Sequence, residues 1–213
     1  MKQVKCKKVK IVYAGVSPLY YPRIAEFKVI ETISSFLSSN YNIDDIEFTY
    51  RPYITDESDK FAVMNNLIHL KNVLFQWPKY GINNLSVLSS ESFFDDIKSE
   101  VLHIMDINIF IMSVSTSMAI DVSYVSGATI ISNMIDHEDI LARRDTHLIV
   151  DNDTLKFVPG AKVVYNHSEL NDAIKKVIDT HCEADGSSKT ILSSWDYQNV
   201  DFPKNINQLL DLP

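Results

Sequence analysis

Three hydroxyl side chains in succession, Ser115, Thr116 and Ser117, stand where the apolar run Ile107–Met112 hands over to a helical pattern that stops at Gly127. One hydroxyl is enough to cap a helix. Three at a strand-to-helix corner supply extra donors where the free backbone N–H groups and the helix dipole already favour negative charge. The chemistry this suits is the holding of an anion, foremost a diphosphate. The alternative is a plain helix start with one capping hydroxyl and two solvated ones. Ser117, Asp121 and Tyr124 follow at i, i+4 and i+7 as a polar stripe, while Met118, Val122 and Val125 face the opposite way.

Two other positions fit the same chemistry. Arg51 closes the strand-like run IEFTYR just before Pro52, so it stands at a strand end, where a guanidinium clamps phosphate bidentately. An ion pair with Asp44, Asp45 or Glu57 is the competing reading. Gly15, in AGVSP after the first strand, allows close backbone approach. His137 is a candidate cleft residue because it follows the fifth strand. The Asp136–Asp139 cluster around it reads as the acidic start of a helix, with Arg143 and Arg144 at the far end, and not as a metal site. No metal is expected. The sequence also lacks GxGxxG after the first strand, GxxxxGK[ST], HExxH and GxSxG.

Short β-branched runs alternating with helical patterns must position these residues. Strands are expected at Val9–Ala14, Ile46–Arg51, Val73–Trp77, Ile107–Met112, Ala128–Ser132, Leu148–Val150 and Lys162–Tyr165. Helices are expected at Arg23–Ser39, Glu57–Ile68, Ser90–Met105, after Ser117, at Glu138–Arg144 and at Ser168–His181. In the first helix Ile24, Phe27, Ile30, Ile33 and Leu37 share the expected apolar face. Strands separated by helices imply parallel βαβ units, and strands apolar on both faces imply helices on both sides. The expected fold is α/β: a doubly wound, Rossmann-like, mostly parallel sheet in one domain over residues 1–182, with 183–213 a helical tail packing back on it.

Composition narrows the partners. With 46% hydrophobic and 23% charged residues the chain is ordinary for a globular protein, and its net charge of −8 leaves no basic surplus for nucleic acid. Only the start, MKQVKCKKVK, with five lysines, departs from this. It reads as a solvated leader or as a peripheral contact with an anionic membrane. Cys6 and Cys182 have no metal-ligand spacing and read as free thiols in a reducing compartment. No apolar run reaches the roughly 18 residues that span a bilayer, and no signal peptide is recognisable. The expected location is cytoplasmic, with the inner face of the membrane as an option.

In this order the elements resemble the C-terminal, donor-binding half of GT-B-type transferases, above all glycosyltransferases of surface-polysaccharide biosynthesis and the glycerophosphotransferases of wall polymers. KIVYAGVSPLYYPRIAEFKVI is similar to their opening strand, loop and long helix. IEFTYRPYI resembles their strand ending in Arg-Pro-His-Pro, with Tyr53 where the family has histidine. INIFIMSVSTSMAIDVSYVSGATII resembles their Ser-Ser-Thr segment, with Asp121 in place of glutamate and Ala128-Thr129 after Gly127. HCEADGSSKTI resembles the piece before their last helix. The resemblance implies a nucleotide-diphospho donor (a nucleotide sugar or CDP-alcohol, bound as substrate with no cofactor) held by Ser115, Thr116, Ser117 and Arg51. It also implies an acceptor domain, because a donor half cannot position an acceptor or exclude water. That domain would be a missing N-terminal half or a separate subunit. The reading from another class is a noncatalytic nucleotide-binding or scaffold module.

Overall fold

The structure is a computed structural model that describes residues 8–18, 20–77, 106–113, 117–136, 158 and 160–183. The expected strand Leu148–Val150, the helices at 90–105 and 138–144, and the tail beyond 183 lie outside the described residues. Within them the chain runs β1 (Val9–Ala14), α1 (Arg23–Asn40), a 3-10 turn (Ile43–Asp45), β2 (Ile46–Arg51), α2 (Glu57–Leu67) and β3 (Val73–Phe75). It continues through β4 (Ile109–Met112), α3 (Ser117–Ser126), β5 (Thr129–Asn133), β6 (Lys162–Val164) and α4 (His167–Glu183).

All six strands are parallel, in the order β3-β2-β1-β4-β5-β6. The chain winds outward from β1 through β2 to β3, then crosses to the other side of β1 and winds outward again. This is the doubly wound, Rossmann-like order, and its switch point lies between β1 and β4.

Register divides the polar chemistry between the two faces. Tyr13 pairs with Tyr50 and with Ile111, whereas Ala14 pairs with Arg51 and with Met112. Residues paired across parallel strands project to one face, and the next pair projects to the other. Tyr13, Tyr50, Ile111 and Ile131 therefore join the core built with α1, α2 and α4, where Phe27, Ile30, Ile33, Val63, Leu67 and Ile174 are buried. Ala14, Met112 and Ile130 join the core under α3, with Ala119 and Val122.

Local chemistry explains the element ends. Gly127, at φ 68°, is in the left-handed region and its N–H donates to Ser123 O at 3.0 Å, closing α3 as its glycine suggests. Asn166 accepts from Glu169 N–H at 2.9 Å while the Glu169 carboxylate reaches back to Tyr165 N–H at 2.8 Å, so α4 begins at His167, one residue before Ser168. β3 is shorter than expected. Gln76 N–H still bonds Tyr50 O at 3.0 Å, but Trp77 leaves the ladder to stack on Phe75, with Lys60 over its ring.

Two sequence expectations are corrected. Ile24 is 72% exposed, and its place on the buried arc of α1 is taken by Glu26, which is 0% exposed. Cys182 is disulfide-bonded, and no cysteine is free among the described residues. A disulfide belongs to oxidising surroundings, so the thiol argument for a reducing compartment fails. Among the described residues no helix is long and apolar enough to cross a membrane.

Ile33 is fully buried between α1 and the sheet. Ile33→Ala should cost about 2–5 kcal/mol in urea unfolding, and Ile24→Gln should change stability by less than about 0.5 kcal/mol.

Candidate functional site

Parallel direction delivers the carboxyl ends of β1, β2, β4 and β5 to one edge of the sheet. Gly15, Arg51 and the start of α3 at Ser117 all emerge there, and the register puts Arg51 on the α3 face. Arg51 is half-buried. Asp121 is exposed on α3, its carboxyl nudged upward by partial desolvation. Ser115, Thr116 and His137 lie outside the described residues, as does the Ser117 side chain. Of the sequence-derived candidates, the structure thus brings Gly15, Arg51 and the α3 start to a common edge.

The opposite face of the same edge holds a buried polar cluster that the sequence reading missed. Arg23, the first residue of α1, spends its donors on four elements. It donates Nε to Asp59 Oδ1 at 2.9 Å and Nη2 to Asp59 Oδ2 at 2.7 Å. Nη1 donates to Glu26 Oε2 at 2.7 Å and to Val16 O at 3.2 Å, and Nη2 also reaches Tyr53 O. One guanidinium thus ties the β1–α1 loop, α1, the β2–α2 loop and α2 together.

Beneath it, Tyr13 shares a hydrogen bond with Ser113, to which Asn133 Nδ2 donates at 3.3 Å. Asn133 Oδ1 accepts from Ile135 N–H at 3.1 Å, and Tyr21 Oη donates to Ile135 O at 3.0 Å. Two oxygens are left over. Glu26 Oε1 and Tyr50 Oη find no partner of ordinary hydrogen-bond geometry among the described residues, although the two side chains act on each other's titration as hydrogen-bond partners and Val16 N–H acts on the carboxylate likewise.

Burial dominates the electrostatics. It pushes the Glu26 carboxyl up to about 7, against the lowering pull of Arg23. The Tyr13 and Tyr50 phenols are raised well above their ordinary range, first by burial and then by Glu26. For Arg23 burial works against the charge, yet the hydrogen bond to Asp59 and the field of Glu26 outweigh it and hold the proton more tightly. Burial would raise Asp59, but the Arg23 hydrogen bond keeps it below the usual carboxylate range.

Gly15 serves this cluster directly. A Cβ at this position would meet Glu26 Oε1 at 2.5 Å, Tyr53 N at 3.0 Å and Pro52 Cα at 3.1 Å. The close approach its lack of a side chain allows is therefore made by the protein itself. A signal for the cluster was present in the sequence: Glu26, Ile30, Ile33 and Leu37 fall at i, i+4, i+7 and i+11, one helical stripe.

Two concavities lie elsewhere. One, of about 640 Å³, runs between α1 and α4 past Lys28, Thr32, Phe36, His167 and Asn171. The other, of about 400 Å³, sits at the amino edge of the sheet by Lys8, Lys10, Glu47, Asn108 and His181. Neither touches the carboxyl edge, where parallel sheets bind ligands.

No protein-family model matches the chain, and no curated protein matches it by sequence. Among solved structures it is similar to a protein assigned as a UDP-N-acetylglucosamine 2-epimerase from Listeria monocytogenes. The identity is 13% and the TM-score 0.47, over 88% of this chain and 41% of that one. The chain thus spans less than half the length of that structure.

Two of the three atoms that a Cβ on Gly15 would meet are backbone and cannot swing aside. Gly15→Ala should destabilise the protein by roughly 1–3 kcal/mol in chemical denaturation. An unchanged midpoint would mean that the β1–α1 corner is looser than its geometry implies.

Proposed function

We propose that this chain is the donor-binding domain or subunit of a glycosyltransferase-like enzyme of surface-polysaccharide synthesis. It takes a nucleotide-diphospho donor, a nucleotide sugar or CDP-alcohol, at the carboxyl edge beside the switch point. The observation that supports this most is topological: Gly15, Arg51 and the start of α3 leave one edge, on or next to one face, where a doubly wound sheet opens its ligand crevice.

In this reading the N–H groups at the α3 start, with the hydroxyls of Ser115, Thr116 and Ser117, receive the diphosphate. Arg51 supplies the compensating charge and Asp121 faces a donor hydroxyl. Such groups stabilise a departing diphosphate without a metal or other cofactor. His137 remains a cleft candidate. The acceptor half is a separate subunit or an N-terminal domain, and the lysine-rich start would let the assembly work against an anionic membrane surface.

One observation favours the rival, a noncatalytic Rossmann-like module. The space beside Gly15, where a ligand would approach the end of β1, is occupied by Glu26. A buried carboxylate there opposes an anion.

Thermal-shift titration with UDP, CDP and their sugar and alcohol conjugates separates the two. The transferase reading expects stabilisation of about 2–3 kcal/mol at a hundredfold excess over Kd. That gain should vanish in Arg51→Ala and in Thr116→Ala. No stabilisation by any diphosphate would leave the module reading standing.

A further inference from the structure

Arg23, Glu26 and Asp59 form a closed charge account: one guanidinium between two carboxylates. Asp59 is bound bidentately and stays ionised. The cluster is therefore neutral only while Glu26 carries a proton, and it holds one surplus negative charge when that proton leaves. The surplus would fall on a side chain that is 0% exposed, where the Tyr50 hydroxyl and Val16 N–H favour the charge by less than burial opposes it. Among the described residues the groups facing it offer no second cation: Tyr13 from β1, Tyr50 from β2, Tyr21 from the β1–α1 loop, and Arg23 already shared with Asp59. An isolated buried charge must either be neutralised or find water.

Gly15 and Val16 from the β1–α1 loop lie against the Glu26 carboxylate, and Pro52 and Tyr53 from the β2–α2 loop pack against Gly15. Both loops are joined to the carboxylate by the same guanidinium, through Val16 O and Tyr53 O.

We propose that Arg23, Glu26 and Tyr50 form a proton-operated clasp: while Glu26 is protonated the β1–α1 and β2–α2 loops close over it, and loss of the proton loosens both loops together.

The sign follows from the direction of the shift. Glu26 holds its proton more tightly when closed, so closure is strongest below the ordinary carboxylate range. That advantage is lost as pH rises from about 4.5 to about 7, where the closed form itself ionises. Above this window the loops have no further proton to lose.

Hydrogen exchange of the whole chain, corrected for the intrinsic pH dependence of amide exchange, tests the clasp. In peptides spanning 15–22 and 52–56, protection should fall by up to about tenfold per pH unit between about pH 5 and about pH 7, then level off. Peptides from β1 and β4 should not follow. Glu26→Gln, which has no proton to lose, should make the loop protection independent of pH. Equal profiles in wild type and Glu26→Gln, or a flat profile in wild type, would overturn the proposal. Should Glu26→Gln fail to fold, the side-chain carboxyl of Glu26 in the wild-type protein can be titrated by carbon NMR. A midpoint near 7 supports the clasp, and one in the ordinary carboxylate range overturns it.

Discussion

A parallel sheet covered by helices on both faces has no water against its strands, so polar groups at its carboxyl edge must find partners inside the protein. That constraint organises this molecule. Tyr13 ends its buried run with a hydroxyl that Ser113 answers, backed by Asn133, and Tyr50 ends its own with one that faces the carboxylate of Glu26. Arg23 then answers Glu26, and Asp59 answers Arg23. Each step sets one group against the next, until the chain of partners reaches the surface at α2. A buried ion pair is weak evidence of net stabilisation. What this one achieves is positional: it sets where two loops and two helices meet.

The same constraint explains why the edge is divided. Alternation along β1 and β2 sends Tyr13 and Tyr50 to the α1 side, and the very next residues, Ala14 and Arg51, to the α3 side. Gly15 follows at the point where the faces meet, and its N–H is fastened to Arg51 O at 2.8 Å. Structural polarity and candidate recognition chemistry are thus one residue apart in sequence and a sheet's thickness apart in space.

Much of the fold was legible because its signals are local. Runs such as VKIVYA and IFIM are apolar on both faces and can only be interior strands, and Gly127 stops α3 by a backbone conformation that glycine favours. Apart from the stripe that carries Glu26, the buried cluster was illegible for the opposite reason. Tyr13 and Ser113 are 100 residues apart and meet only because β4 lies beside β1. Nothing in either local sequence encodes that neighbour. Glu26 was hidden by its type: a carboxylate on a helix is read as solvent-facing, and Ile24 was given the inward place that Glu26 occupies. For the candidate site, the common edge of Gly15, Arg51 and α3 follows from parallel direction alone, whereas Ser115, Thr116 and His137 fall outside the described residues.

The separation of the two faces carries an evolutionary consequence. Drift at Arg51 or along α3 can proceed without disturbing the tyrosine layer, because Tyr13 and Tyr50 project to the other side of the sheet. Conversely, Gly15 is hemmed in by packing whatever the ligand, so its persistence among descendants would testify to architecture and say little about specificity.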